Sequence, residues 1–170
     1  MRKDPGFTAT TKWQRGFTLI EMSLVMGIFL TLLSITFVGF LNFQHRSALF
    51  ANTAVLLADI QSQQTKAMAG DTEASNTISD FGIHFEASSY TLFRGSSYSA
   101  GEPTNMAISL EPPLSFEEID LPQTAVVFAK GSGEVAGYSA PDNSVKVKNN
   151  ESGEEVLVQF NKYGVLVSGE

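Results

Sequence analysis

The chain has 170 residues, 43% of them hydrophobic and 17% charged, which fits one ordinary domain with an extension and excludes an intrinsically disordered chain. The formal net charge of −7 speaks against general nucleic-acid binding, because phosphate neutralisation needs clustered cations. The absence of cysteine excludes disulfides, thiolate metal sites and cysteine nucleophiles.

The charge is unevenly distributed. Residues 1–16 carry Arg2, Lys3, Lys12 and Arg15 against a single anion, Asp4. Phe17 to Phe43 carries one charge, Glu21, and residues 71–170 carry 15 acidic and five basic residues. The order is therefore a basic leader, an apolar rod and an acidic head.

Met22 to Gln44 is a run of 23 residues with no formal charge and no proline. As a helix it would extend roughly 34 Å, enough to cross a hydrocarbon core of about 30 Å. Its apolar residues surround the helix on all sides, the pattern of a membrane span or of the centre of a large core, and the remaining chain is too small to enclose so long a helix. The leader cations place the N-terminus in the cytoplasm and the acidic head outside. A cleavable secretory signal is the competing reading. It would need a shorter apolar run and small residues at its exit, where this chain has Phe40-Leu41-Asn42-Phe43.

The junction into this segment reads Arg15-Gly16-Phe17-Thr18-Leu19-Ile20-Glu21. It resembles the processing site of type IV pilins and type II secretion pseudopilins. The resemblance implies a leader over 1–16, removed by a prepilin peptidase between Gly16 and Phe17, with Phe17 then N-methylated. It also implies a span and assembly segment over 17–43, and Glu21 as an assembly residue. Partners implied are the peptidase, other pilin or pseudopilin subunits, an inner-membrane assembly platform, and membrane lipid before assembly. The location implied is a single pass through the inner membrane, followed by a filament outside the cytoplasm.

The physical reading of Glu21 agrees with that role. A carboxylate in an apolar helix is costly in lipid, and processing creates a new cation, the α-amine of Phe17. Pairing between Glu21 of one protomer and the amine of another would distinguish the correct axial register. The competing reading is a carboxylate solvated at the membrane interface. Ser23, Gly27 and Thr31 are spaced by four and share one helix face, where small side chains allow close helix packing. Where many major pilins carry a proline, this chain has Val38-Gly39.

Residues 44–70 continue the helix without proline until Gly70. Leu49, Leu56, Ile60 and Ala67 define one apolar face, with Asn52, Asp59, Gln63 and Lys66 as interleaved polar positions. Gly70-Asp71 is the expected stop, giving one helix from about Phe17 to about Ala69. A coiled coil is the alternative, on a heptad too short to sustain it.

The head, 71–170, reads as strands and turns. Strands are expected at Phe81–Phe85, Tyr90–Phe93, Ala107–Leu110, Ala125–Ala129, Glu134–Gly137, Ser144–Lys148, a segment through Val156, Val158 and Phe160, and Val165–Val167. A long connection is expected over 95–124, and a hairpin turn at Lys130-Gly131-Ser132-Gly133. The fold class is α+β: a long N-terminal helix whose second half covers a mainly antiparallel β head, a pilin-like arrangement. The head also resembles the H-type minor pseudopilins in Phe81-Gly82-Ile83, Tyr90-Thr91-Leu92, Val127 to Gly133 and Tyr163-Gly164.

Catalytic and metal chemistry finds no pattern here. His45 and His84 have no second ligand at metal spacing. Two acidic clusters, Glu117, Glu118 and Asp120, and Glu151, Glu154 and Glu155, read as solvated charge runs, with loop-bound calcium as the alternative. No nucleophile elbow, phosphate loop or dinucleotide fingerprint is present. Neither enzyme activity nor a cofactor is expected. The arginine-rich C-terminal motif of DNA-uptake minor pilins is replaced by Val165-Leu166-Val167-Ser168-Gly169-Glu170, so DNA is not an expected partner unless Lys130, Lys146, Lys148 and Lys162 share a face. The leading function is a minor pilin or pseudopilin. The alternatives are a filament-tip binding module and a simple bitopic anchor.

Overall fold

The computed structural model describes residues 16–72, 76–140, 143–164 and 166–169, without the side chains of 37–47 and 166–169. The leader before Gly16, the side chains of His45 and Arg46, and Val165 lie outside the described residues. Two compact units make up the chain, Met1–Phe40 and Leu41–Glu170.

One helix, α1 (Leu19–Ala69), takes the expected course and passes through Val38-Gly39 without interruption. It stops at Gly70, whose φ of 66° is a left-handed conformation that glycine adopts without strain. The Asp71 N–H bonds to the Lys66 carbonyl at 3.0 Å and the Gly70 N–H to the Ala67 carbonyl at 3.2 Å. This pair of reversed bonds is a Schellman cap, and it satisfies carbonyls that the helix itself leaves open.

Eight strands follow among the described residues: β1 (Phe81–Phe85), β2 (Ser89–Arg94), β3 (Met106–Ser109), β4 (Leu114–Asp120), β5 (Ala125–Phe128), β6 (Ser144–Asn149), β7 (Glu155–Phe160) and β8 (Leu166–Gly169). They form two four-stranded sheets, ordered β3-β2-β1-β5 and β4-β6-β7-β8, and every pairing is antiparallel. The sheets are tied at one corner, where the Leu110 and Phe116 N–H groups bond to the carbonyls of Ser88 and Ala87, each at 2.9 Å.

Alternation explains which faces meet. Val145 and Val147 of β6 are buried while Lys146 and Lys148, which alternate with them, are not, and β1 buries Phe81, Ile83 and Phe85. Phe116 of β4 joins the sheets through edge-on contacts with Phe85, ring centroids 5.3 Å apart, and Tyr90, at 6.3 Å. Into this core α1 delivers Leu49, Leu56, Ile60 and Ala67, all at 1% exposure or less. The expected helix cover is therefore present. Tyr90, itself buried, donates its O–H to the Asp59 carboxylate at 2.6 Å, and burial followed by that carboxylate pushes the phenol above its ordinary range.

Three expectations need correction. Gln63, read as one of the polar positions interleaved with the apolar face, belongs to that face: it is 3% exposed, and with Thr53 it completes the buried face at alternate spacings of four and three. The connection over 95–124 contains β4 as well as β3. A bulge between Phe116 and Glu118 breaks the period-two pattern, so the Glu117-Glu118 pair resembles a charge run in sequence. Conversely, Glu134–Gly137 is no strand; it contributes one bridge, Val135 to Phe128. Gly133 and Gly137 flank it in left-handed conformations that end the pairing.

Candidate functional site

The first turn of α1 is organised by Thr18. Its carbonyl accepts the first helical bond, from the Met22 N–H at 3.2 Å. Its N–H and its hydroxyl both donate to Glu21 Oε2, each at 2.8 Å, and the Glu21 N–H returns to Thr18 Oγ1 at 3.3 Å. This reciprocal arrangement is a capping box. The carboxylate also lies where the positive end of the helix dipole favours it. Reading Glu21 as a lone charge missed this neighbour, although the signal, Thr18-x-x-Glu21, is present in the sequence.

Thr18→Ala is expected to weaken this turn by about 1 kcal/mol. Amide exchange at Glu21 should accelerate by roughly fivefold in micelles, while amides beyond Thr31 keep their rates.

Gly16 and Phe17 precede the helix, and Phe17 is 85% exposed. Ser23, Gly27 and Thr31 share one face as expected, forming a shallow depression with Ile20, Leu24 and Ile28. Ser23 Oγ donates to the Ile20 carbonyl at 2.9 Å and Thr31 Oγ1 to the Ile28 carbonyl at 2.7 Å. Both hydroxyls are thus satisfied within the helix. A methyl group added at Gly27 would meet nothing within 4 Å. Among the described residues there is therefore no steric need for glycine there. Leu19–Thr36 is long and apolar enough to cross a membrane.

In the head, the acidic run on β4 is paired with lysines. Lys146 contacts Glu118 at 2.8 Å and Glu155 at 3.6 Å; Lys148 contacts Glu117 at 2.9 Å and Glu155 at 3.2 Å. These contacts form a cross-strand charge ladder over β4, β6 and β7. Glu117 and Glu118 are exposed, as expected of a solvated charge run, and are in addition paired across strands. Two of the four lysines that could have formed a cationic face are held by carboxylates. His84 stacks on Tyr98, with ring centroids 4.0 Å apart.

The ladder predicts a pH profile. Hydrogen bonding to Lys148 holds Glu155 below its ordinary 4.5, so that contribution is present above 4.5 and disappears as pH falls through the lower folded value. Bonding to Glu118 and Glu117 holds Lys146 and Lys148 above 10.5, so their contribution is complete below 10.5 and disappears as pH rises through the raised values. The melting temperature should form a plateau between these limits. Glu155→Gln should flatten the acid limb, and about 1 M salt should flatten both.

Residues 14–37 match the prokaryotic N-terminal methylation motif. This is the prepilin signal of type IV pilin-like proteins, and it covers the junction, the capping box and most of the apolar run. Neither a curated protein nor a solved structure matches the chain.

Proposed function

We propose that this protein is a minor pilin or pseudopilin, a structural subunit of a type IV pilus or type II secretion pseudopilus. In this reading the prepilin peptidase cuts between Gly16 and Phe17, and the new Phe17 amine is methylated. The span holds the subunit in the inner membrane with its head outside until the assembly platform draws it into a filament. The observation that carries the reading is the methylation-motif match over 14–37, on a helix whose first turn presents Glu21.

The capping box gives the assembly step a physical form. Both Thr18 bonds fall on Glu21 Oε2, so a neighbouring protomer's amine can approach the other carboxylate oxygen without dismantling the cap. Before assembly, the Thr18 donors reduce the cost of holding the carboxylate in an apolar setting. During assembly, the neighbour's amine adds a charge-assisted bond available only in the correct register. Ser23, Gly27 and Thr31 would admit the adjoining helix. The Gly27 geometry supports this, since the smallness of that residue serves no contact among the described residues. The H-type reading of the head rests on its strand motifs in the sequence.

Mass spectrometry of the mature chain tests the reading. The expected N-terminus is N-methylated Phe17. A native chain that still begins at Met1 would refute it.

A further inference from the structure

The second unit contains a cleft that the assembly reading leaves unused. It lies beside β5, at the outer edge of the first sheet, and near the start of β6 and the end of β7. Its volume is about 210 Å³, room for roughly seven waters at about 30 Å³ each, or for one sugar ring. Tyr98, Gln123, Tyr138 and Asn143 line it, with an apolar wall from Val127 and Phe160, and with Ser96 and Ser97 exposed beside them.

The lining is built and held in place. Asn143 is 7% exposed; its Oδ1 accepts from Gln159 Nε2 at 3.3 Å, and its Nδ2 donates to the Tyr138 oxygen at 3.1 Å. With that oxygen accepting, the Tyr138 O–H remains as a donor, and among the described residues it has no acceptor. Tyr98 is fixed by its stack on His84 and by an edge contact with Phe93, ring centroids 5.6 Å apart. Gln123 and Thr124 both adopt left-handed backbone conformations, φ 57° and 51°, which non-glycine residues rarely do and which concentrate at functional sites. Thr124 Oγ1 lies 3.3 Å from His84 Nδ1, so this turn and the Tyr98 stack share one support.

We propose that this cleft binds a neutral sugar unit of a glycan. Among the described residues no charged side chain lines it, so a phosphate or carboxylate would lose its hydration without gaining a cation. A wholly apolar ligand would strand the Tyr138 O–H and the Gln123 amide. A sugar ring matches both kinds of surface: its C–H face covers aromatic and aliphatic carbon, and its hydroxyls exchange hydrogen bonds with amides, tyrosine and serine.

The test uses the full chain in dodecylphosphocholine micelles, a detergent without a sugar headgroup, and saturation-transfer NMR with chitotriose and maltotriose as probes. Saturable transfer to at least one probe is expected. Tyr138→Phe, which keeps the ring and removes the donor, should weaken it roughly tenfold, and Tyr98→Ala should abolish it. Tyr163→Phe, at an exposed tyrosine outside the cleft, should bind like the parent chain. Absence of saturable transfer to both sugars, or undiminished binding by Tyr138→Phe, would overturn the assignment. So would equal displacement of the bound sugar by triglycine, which would make the cleft a peptide site.

Discussion

Glu21→Val is expected to leave the chain inserted in the membrane and trimmed at its N-terminus, yet to reduce its entry into filaments by about two orders of magnitude. Insertion should not suffer, since valine is easier than a carboxylate to hold in lipid. Two things are lost: the acceptor of the Thr18 N–H and hydroxyl, and the only negative charge between Phe17 and Phe43. Glu21→Gln separates them. Glutamine still accepts hydrogen bonds, so the cap survives while the charge disappears. If pairing with the Phe17 amine drives entry, Gln and Val should be about equally defective. If capping drives it, Gln should behave like the parent chain. Fractionation of sheared filaments against membranes, normalised to total protein, reads the outcome. Normal filament entry by Glu21→Val would remove Glu21 from the assembly mechanism.

Ile60→Ala is expected to destabilise the second unit by about 2–5 kcal/mol, the range for truncating a large aliphatic side chain in a closed core. Ile60 is fully buried, and its neighbours on the same helix face, Leu56 and Gln63, are buried as well. They sit against an aromatic core that includes Phe81, Phe85 and Phe128, which close packing prevents from collapsing into the space left behind. Gln61→Ala, one residue along and exposed, should change stability by no more than about 0.5 kcal/mol. Denaturant unfolding followed by near-ultraviolet circular dichroism distinguishes the two. An Ile60→Ala effect as small as that of Gln61→Ala would mean that α1 merely rests on the sheets.

The helix was the most legible part of the sequence, because its signals are local. The apolar run, the buried positions Leu49, Leu56, Ile60 and Ala67, and the Gly70 stop are each set by residues a few positions apart. The methylation motif was legible for the same reason, being a contiguous string from Arg15 to Glu21. Strand β4 was hidden because its stabilisation is not local. The Glu117-Glu118 pair looks like a loop until Lys146 and Lys148, about thirty residues later, are placed opposite it. The burial of Gln63 was marked by its spacing, three residues after Ile60 and four before Ala67, but masked by its polarity; it lies with residues of β1, β2 and the segment that leads into β3. The cleft beside β5 draws on residues from 96 to 160, and no spacing in the chain announces it.

The way α1 ends has a mechanical consequence. The Ala67 carbonyl accepts from Gly70 and also from the Gly131 N–H at 2.8 Å, and the Gln64 amide donates to the carbonyls of Gly133 at 3.0 Å and Tyr163 at 2.8 Å. The last turns of the helix are therefore stitched to two separate loops as well as to the core. Tension applied along the helix axis would load Leu49, Leu56, Ile60 and Ala67 and these clasps in parallel, as a shear. Contacts loaded in that way yield together, not one after another as in peeling. The second unit is thus suited to being hauled by its helix without coming apart.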